Sequence, residues 1–337
     1  RARVRRAMTR SQPSLATSSA WTPRRRVATR ASTPSASSVA ASTTVVVTGG
    51  ASGVGYRLAR EFVERGARVF VASRDGDRAM RAAESLGEDV VGVRCDVSVA
   101  DDVEALMERV VRDETTTTTT HWVNAAGAVT KNAPLCDVDA DEIVSVVGSN
   151  LTGPLLCGRA VMREAKKRGK SARFVVWNFG FSAFGAKLSK TAATHKSTKS
   201  GLSELTNALN ADVERLKRDG VELRCEFHQL SPGLALTPLL LGNDNANPIS
   251  KKIFNALAEE PDVIARALAE GMCDAPEGST TPVEYLTPFD AIRRMARELP
   301  NIATSAGGRH FDSKGERVRR SPDARYDADG VELLPFE

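Results

Sequence analysis

The fold class that this sequence predicts is α/β, with a single doubly wound parallel sheet and helices on both faces. Short apolar runs rich in valine alternate with longer helical patterns over residues 44–230, which is typical of parallel strands joined by right-handed crossovers. The first run, Thr44 to Val47, leads into Thr48-Gly49-Gly50-Ala51-Ser52-Gly53-Val54-Gly55 and then into a helical pattern from Tyr56 to Glu64. A strand, a glycine turn and a helix in this order indicate a dinucleotide site.

Each glycine of this loop has a mechanical reason. Gly49 permits a tight turn off the strand, Gly53 lets the backbone approach a pyrophosphate, and Gly55 lets the helix pack close to the sheet. The N–H groups at the helix start then face the anion. The spacing is G-x-x-x-G-x-G rather than G-x-G-x-x-G, so a glycine-rich loop without a ligand is the alternative until the next strands are considered.

Size and composition narrow the class of protein. A chain of 337 residues with 41% apolar residues can build one large α/β domain or two smaller ones. No apolar run approaches the roughly 20 residues that span a bilayer. The five cysteines are scattered without a C-x-x-C pair, which suits a reducing compartment and indicates no metal site.

The basic charge of the chain belongs to its first 42 residues. They carry nine arginines and no acidic residue, and subtracting these nine charges from the net +5 leaves −4 for the rest. The charge therefore does not favour nucleic-acid binding. A segment rich in Arg, Ser, Thr and Ala without a long apolar centre resembles an organelle transit peptide, and a disordered basic arm is the alternative. We expect the folded domain at residues 43–318 and a C-terminal tail at 319–337.

The end of the second predicted strand, Arg68 to Ala72, bears on the choice of cofactor. Folds that bind NAD carry an acid here for the ribose 2′-hydroxyl, whereas this chain has Ser73 and Arg74. An arginine can pair with a 2′-phosphate. The sequence therefore favours NADPH, with a solvated loop charge as the alternative.

The remaining elements follow in alternation. Asp96 comes directly after the third strand, where it can meet an adenine edge. The six threonines at 115–120 are expected in a loop that runs into the edge of the fourth strand, and Asn150 is expected inside a helix. The predicted elements are helix Asp77–Leu86, strand Val90–Arg94, helix Val99–Arg112, strand and turn Trp122–Gly127, helix Asp141–Arg168, strand Phe174–Trp177, a helix from about His195, and strand Val221–Leu230.

Taken together, these motifs resemble the short-chain dehydrogenase/reductase superfamily, with its Rossmann-type sheet, from about residue 43 to 318. T-G-x-x-x-G-x-G at 48–55, Asp96, N-A-A-G at 124–127 and P-G at 232–233 stand in the family's order. The resemblance implies that Asn150, Ser182, Lys199 and the residue at position 195 form the catalytic group, and that Lys199 also grips the nicotinamide ribose. It implies a cofactor site made of Gly49, Ser52, Gly53, Val54, Gly55, Ser73, Arg74, Asp96, Val97, Asn124, Ala125, Gly127, Lys199, Pro232, Gly233 and Thr237.

A narrower resemblance lies in the C-terminal third. The stretches at 231–242 (S-P-G-L-A-L-T-P-L-L-L-G), 253–261, 283–288 and 308–312 (G-R-H-F-D) are similar to chlorophyll(ide) b reductases of the non-yellow-coloring-like type, in a branch without membrane spans. This implies reduction of the 7-formyl group of chlorophyll b or chlorophyllide b in a chloroplast, in the stroma or on the stromal face of the thylakoid. We expect Leu234 to Leu241, with Ile253, Phe254 and Leu257, to form an apolar wall beside the nicotinamide or against the membrane.

The chain departs from the family at the acid. The family has a Tyr four residues before the Lys, and here that residue is His195. A His beside a Lys cation is expected to have a lowered pKa and to be neutral at stromal pH, which makes it a poor proton source. Since residues 195 and 199 share a helical face, we expect the His195 ring within hydrogen-bond reach of Ser182 or of a shared water.

Three functions therefore stand. The first is an NADPH-dependent chlorophyll(ide) b reductase with altered acid chemistry, which the glycine loop, Asn150, Ser182 and Lys199 favour. The second is a cofactor-binding partner of an active reductase, as a homo- or hetero-oligomer, which His195 favours. A generic ketone or 3-oxoacyl reductase is the third, and the C-terminal stretches argue against it.

Overall fold

A computed structural model describes residues 43–113, 118–181, 192–241, 248–304, 307–318, 327 and 333–337. The predicted leader at 1–42, Ser182 and most of the predicted tail lie outside these ranges. So do residues 114–117 of the loop before the fourth strand.

One parallel sheet of seven strands forms the centre of the described chain, in the order β3-β2-β1-β4-β5-β6-β9. The order reverses between β1 and β4, and ligands of such sheets bind at the carboxyl ends of the strands beside this reversal. Two further strands, β7 (Leu234–Ala235) and β8 (Ala258–Glu259), pair with each other. The strands of the main sheet are β1 (Thr43–Thr48), β2 (Arg68–Ser73), β3 (Val90–Arg94), β4 (Thr119–Asn124), β5 (Arg173–Phe179), β6 (Arg224–Ser231) and β9 (Val283–Glu284).

Helices cover both faces of the sheet, so the predicted fold class is confirmed. Alternate residues of β1 show this, because Val45 and Val47 pack in the core beneath α1 and α9 whereas Val46 packs with α3, α5 and α6. The helices are α1 (Gly53–Glu64), α2 (Gly76–Leu86), α3 (Ala100–Arg112), α4 (Ala140–Val147), α5 (Gly153–Arg168), α6 (Ala193–Arg218), α7 (Pro238–Leu241), α8 (Pro248–Leu257), α9 (Pro261–Cys273) and α10 (Pro288–Thr304).

The structure differs from the predicted elements in several ways. Thr119 and Thr120 belong to β4, with Thr120 buried, rather than to a loop. The sixth strand begins at Arg224 rather than at Val221. The helix predicted over 141–168 is interrupted by a π-helical turn at Gly148–Thr152. The two-residue strand β9 is too short to produce a periodic pattern, and the sequence did not predict it.

The described part of the C-terminal tail packs against the domain. Leu334 is buried in the core cluster that includes α1, and the Phe336 ring lies 5.4 Å from the ring of Tyr56. Among the helices that the structure describes, none is long and apolar enough to cross a bilayer.

Candidate active site

The glycine loop between β1 and α1 is closed too tightly for side chains. Gly49 has φ +69°, and a Cβ there would lie 2.6 Å from the Cα of Ala126. A Cβ on Gly55 would lie 2.5 Å from the carbonyl oxygen of Gly49, so the start of α1 packs on the turn itself. Ser52 caps α1 without a side-chain hydrogen bond. The loop thus presents bare backbone at a helix start, which fits the pyrophosphate of a dinucleotide.

The end of β2 presents a cation beside this loop. Arg74 is exposed, and the nearest acid in sequence, Asp75, accepts a hydrogen bond from the Arg78 N–H at 2.9 Å as the cap of α2. Arg78 was not predicted as a site residue. Its Nε donates to the carbonyl oxygen of Ala51 at 3.1 Å, and its guanidinium pairs with the carboxylate of Glu337. The sequence gives no signal for these contacts, because a helix-capping aspartate followed three residues later by an arginine has no distinctive spacing.

Asp96 and Val97 follow β3 at the same edge of the sheet. Burial alone would raise the pKa of the Asp96 carboxyl, but hydrogen bonds from Ser98 and the charges of Arg74 and Arg94 lower it. Asp96 therefore carries a negative charge next to Arg74. Val97 is buried against Gly153, because a Cβ added to Gly153 would lie only 2.6 Å from the Cγ2 atom of Val97.

The side chain of Asn124, at the end of β4, points into the sheet. Its Nδ2 donates to Asn178 Oδ1 at 2.8 Å, and its Oδ1 accepts from the indole N–H of Trp122 at 3.1 Å. Asn178 in turn donates to Thr206 at 3.0 Å. Through Asn178 the Asn124 amide thus links β4 to β5 and α6, while backbone atoms of Ala125 and Ala126 approach Gly49.

Asn150 lies in the π-helical turn and joins two segments of the site. Its Oδ1 accepts the Ala128 N–H at 2.8 Å, and its Nδ2 donates to the Ala128 carbonyl at 2.9 Å and to Thr198 Oγ1 at 3.1 Å. The side chain is buried. π-helical turns occur frequently at functional sites, and this one aims an amide at the segment after β4 and at α6.

The side chain of Lys199, on α6, extends to the part of the site that Asn150 occupies. Its Nζ donates to the carbonyl oxygen of Phe179, at the end of β5, at 2.7 Å. A Cβ on Gly127 would lie 3.5 Å from this Nζ and 3.1 Å from Asn150 Oδ1, so the absent side chain leaves room for both groups. Burial lowers the pKa of the Lys199 ammonium to about 8.

His195 lies one turn before Lys199 and is buried, with the Phe181 ring edge-on at 5.3 Å. The pKa of the imidazole is lowered to about 4, mainly by burial and then by the charge of Lys199. A hydrogen bond with the Ala128 backbone raises the pKa and so offsets part of this decrease. The direction agrees with the sequence prediction, but burial is the larger cause. The Nδ1 atom is buried without a hydrogen-bond partner among the described residues. Since Ser182 lies outside those residues, its predicted contact with His195 stays a prediction.

No tyrosine of the described chain takes the vacant role beside Lys199. The Tyr56 hydroxyl bonds Ser85 at 2.8 Å, and the Tyr285 hydroxyl donates to Glu259 at 3.0 Å. Tyr326 is outside the described residues. Within the ranges that the structure covers, no cluster of His, Cys, Asp and Glu could hold a metal ion.

The segment after β6 faces the glycine loop. Gly233, with φ +67°, follows Pro232 at the end of the strand. The Cγ2 atom of Thr237 lies 3.5 Å from the position of a Cβ on Gly53. The predicted apolar wall is divided: Leu236, Leu241 and Phe254 are buried in a small cluster with Ala258 and Phe311, whereas Leu239 and Ile253 are exposed.

The C-terminal stretches of the narrower resemblance pack against one another through polar side chains. Asn255 Oδ1 accepts the backbone N–H groups of His310 and Phe311, both at 2.8 Å. Arg309 donates to Glu259 at 2.5 Å, and Arg317 donates to Glu260 at 2.6 Å. We call this group, Asn255, Glu259, Glu260, Arg309, His310 and Arg317, the C-terminal clamp. It fixes α8 and β8, and it was not predicted because its ion pairs are distant in sequence.

Comparisons with known proteins agree with this geometry. A family model described as short chain dehydrogenase matches residues 43–241. The structure is similar to that of 3-ketoacyl-(acyl-carrier-protein) reductase from Brucella melitensis, complexed with NADH, with a TM-score of 0.60 and 25% identity over 72% of this chain and 96% of that one.

Two curated relatives extend the similarity into the C-terminal third. "Probable chlorophyll(ide) b reductase NYC1, chloroplastic" from Oryza sativa subsp. japonica is 32% identical over 294 residues, which are 81% of this chain and 55% of that protein. "Chlorophyll(ide) b reductase NOL, chloroplastic" from Arabidopsis thaliana is 27% identical over 267 residues, which are 78% of this chain and 74% of that protein. The chain thus spans about half the length of the first of these relatives.

Proposed function

The chain belongs to the short chain dehydrogenase family, as its sequence predicts, and from this premise we propose that it is an NADPH-dependent chlorophyll(ide) b reductase. That it is an oxidoreductase acting on a carbonyl or alcohol group with a nicotinamide cofactor follows from the family and from its oxidoreductase relatives. The choice of NADPH and of a 7-formyl pigment is the proposal. One observation supports it: the two chlorophyll(ide) b reductases match 81% and 78% of this chain, which is more than the residues 43–241 that the general family model covers.

The residues of the site fit a nicotinamide dinucleotide. The backbone of Gly49 to Gly55 and the start of α1 would hold the pyrophosphate, and Arg74 would pair with a 2′-phosphate. Lys199 would hold the nicotinamide ribose. When bound, the reduced nicotinamide supplies the hydride. Asn150 keeps the segment after β4 and helix α6 in register, so that Lys199 and His195 stay beside the carbonyl to be reduced.

The remaining expectations about place and partners are part of this proposal. Residues 1–42 would direct the chain to the chloroplast, where the named relatives are found. Deleting them should abolish import into isolated chloroplasts and leave the melting temperature of the purified domain unchanged. A lower melting temperature would instead show that the segment is structural.

Contact with the membrane would use helix α10. Phe289, Ile292 and Leu299 are exposed on it, together with Arg293 and Arg297, whereas its Glu298 is buried and its Asp290 pairs with Arg293 at 3.1 Å. An outward apolar stripe beside cations suits the surface of an anionic bilayer. The stromal face of the thylakoid is the surface that we propose.

Vesicle flotation tests this contact. The double variant Phe289→Gln/Ile292→Gln should lose binding to vesicles that contain an anionic lipid, because it removes the two most exposed apolar side chains of the helix. Val144→Gln, at an equally exposed position on α4, is the control and should bind as the parent does. Equal binding of all three proteins would contradict the role of α10.

A second candidate function is a cofactor-binding partner of a related reductase, in a homo- or hetero-oligomer. The buried His195, with a pKa of about 4, favours it because the family's acid is missing. Purified protein incubated with NADPH and chlorophyll b or chlorophyllide b, followed by pigment analysis, distinguishes the two. A 7-hydroxymethyl product supports the reductase. NADPH binding without product supports the partner, and reduction of a 3-oxoacyl substrate alone would support the generic reductase.

A further inference from the structure

The proton for the substrate oxygen needs a source other than the His195 ring. Because Nδ1 has no partner among the described residues, the hydrogen bond of the ring with the Ala128 backbone uses Nε2. In the neutral ring Nε2 then carries the hydrogen and Nδ1 is an acceptor. With a pKa of about 4, the ring is neutral at physiological pH. The buried Nδ1 atom can accept a hydrogen bond, but the neutral ring has no second proton to give.

Lys199 has the geometry that a donor needs. Of its three ammonium hydrogens, the Phe179 carbonyl accepts one. In the part of the chain that the structure describes, no other acceptor is bonded to the remaining two. The Nζ lies on the side of the bare Gly127, with Asn150 Oδ1 nearby. His195 and Lys199 share one helical face, so both address the same point.

We propose that Lys199 donates the proton to the carbonyl oxygen of the substrate, a role that rests on the proposed reductase. In this step the carbonyl carbon takes the hydride of the reduced nicotinamide, which is oxidised. One N–H bond of the Lys199 ammonium breaks, and one O–H bond forms on the substrate. The product is an alcohol, and the neutral amine then regains a proton from solvent.

The surroundings of Lys199 make its proton available near neutral pH. Burial lowers its pKa to about 8, which is the range to which enzymes adjust lysines for acid–base work. The groups that face it from β5, from the segment after β4, from the π-helical turn and from α6 are the Phe179 carbonyl, Gly127, Asn150 and the neutral His195. None of these is an anion that would hold the proton on the amine.

The first test measures the titration of lysines in the protein without cofactor and does not require catalytic activity. Competitive labelling of lysines with a trace acylating reagent, read by mass spectrometry across pH 6–11, gives the titration midpoint of each amine. Lys199 should titrate near 8, well below the roughly 10.4 of a lysine in an unstructured reference peptide labelled in the same tube. A Lys199 midpoint equal to that of the reference peptide would overturn the proposal.

The second test separates proton donation from ribose binding. Lys199→Arg keeps the cation and its reach but does not release a proton near neutral pH. It should bind NADPH within about 3-fold of the parent and reduce the pigment about 10²–10⁴-fold more slowly. The parent rate should fall above about pH 8, and that limb should persist in His195→Gln. A Lys199→Arg rate equal to the parent rate, or a parent rate that rises only below about pH 5, would overturn the proposal.

A small aromatic aldehyde distinguishes failure of the two proposals. If the parent reduces the aldehyde but not the pigment, the chlorophyll assignment fails, and the same pH profile and variants still decide the role of Lys199. If the parent binds NADPH and reduces neither compound, both proposals fail.

Discussion

Two regions of this molecule are built on different physical principles. The cofactor half, residues 43–127, depends on the backbone, since its loop closes because Gly49 and Gly55 lack a Cβ. The C-terminal lobe, residues 231–318, depends on side chains, since buried carboxylates and guanidinium groups connect segments about 50 residues apart. The difference teaches that a backbone-based site is visible as glycine spacing, whereas a side-chain clamp becomes visible only in three dimensions.

The clamp gives the largest expected effect on stability. Burial alone would raise the pKa of Glu260, but the His310 ring 3.4 Å away and the hydrogen-bonded Arg317 guanidinium lower it to about 2. Glu260→Gln removes the only carboxylate bonded to the nearly buried Arg317 cation among the described residues and leaves it the His310 carbonyl, so the free energy of unfolding should fall by about 3 kcal/mol, the lower end for a broken buried pair. Urea unfolding followed by circular dichroism measures it.

The pH dependence of the same variant sharpens this prediction. Because the folded pKa lies below the ordinary 4.5, the stabilisation by Glu260 is complete above about pH 4.5 and is lost as the pH falls toward 2. The difference in stability between parent and variant should therefore shrink in that window. Glu226 lies outside the C-terminal lobe, pairs with Arg173 and has a similarly lowered pKa of about 2. The stability of a Glu226→Gln variant can therefore be compared with that of Glu260→Gln over the same pH range. A difference that stays constant with pH would contradict the ion-pair account.

Restoring the family's residue tests how far the catalytic group departs from its pattern. His195→Tyr supplies a hydroxyl on the same helical face as Lys199, so kcat should rise by about 10²-fold above the rate that Lys199 alone supports, the usual contribution of a well-placed general acid. His195→Phe has the same ring without the hydroxyl and should show no rise. Parent activity that falls in the Tyr variant would mean that His195 has a role of its own.

In the cofactor half, we expect a substitution to weaken NADPH binding mainly by crowding the backbone rather than by changing a charge. A Cβ at Gly55 would lie 2.5 Å from the Gly49 carbonyl oxygen, and overpacking of this kind costs about 1–3 kcal/mol. We expect Gly55→Ala to weaken NADPH binding by roughly 5- to 150-fold in calorimetry. Gly201→Ala, where the added Cβ meets Leu151 at an ordinary 3.7 Å, is the matched control. Equal affinity in Gly55→Ala and the parent would refute the tight loop.

Arg74 should have the smallest effect, because it is exposed. Arg74→Ala should weaken NADPH binding about tenfold and leave NADH binding unchanged, since a hydrogen bond to a charged group contributes about 1.5–3 kcal/mol when well formed. Arg112→Ala, exposed on α3, should change neither. Equal affinity of the parent for the two cofactors would remove the NADPH assignment.

The sequence predicts most of the fold and less of the site. The sheet, the helices on both faces and the glycine turn follow from valine runs and helical periodicity, which report local burial. The π-helical turn at 148–152 does not follow from periodicity, and the hydrogen bonds that join its Asn150 to Ala128 are made across 22 residues of sequence. Asn124 illustrates the same limit: its side chain is used inside the sheet, which only the positions of Trp122 and Asn178 reveal.

Transfer of a labelled hydride tests the central claim most directly. The purified protein is incubated with NADPH that carries deuterium at the transferable position of the nicotinamide, together with chlorophyll b, and the pigments are separated and analysed by mass spectrometry. The account predicts a 7-hydroxymethyl pigment with one deuterium in its new CH₂OH group, and much less of it from Gly55→Ala when NADPH is kept below the dissociation constant of that variant. Unlabelled, unreduced pigment in the presence of bound NADPH would contradict the assignment as a chlorophyll(ide) b reductase.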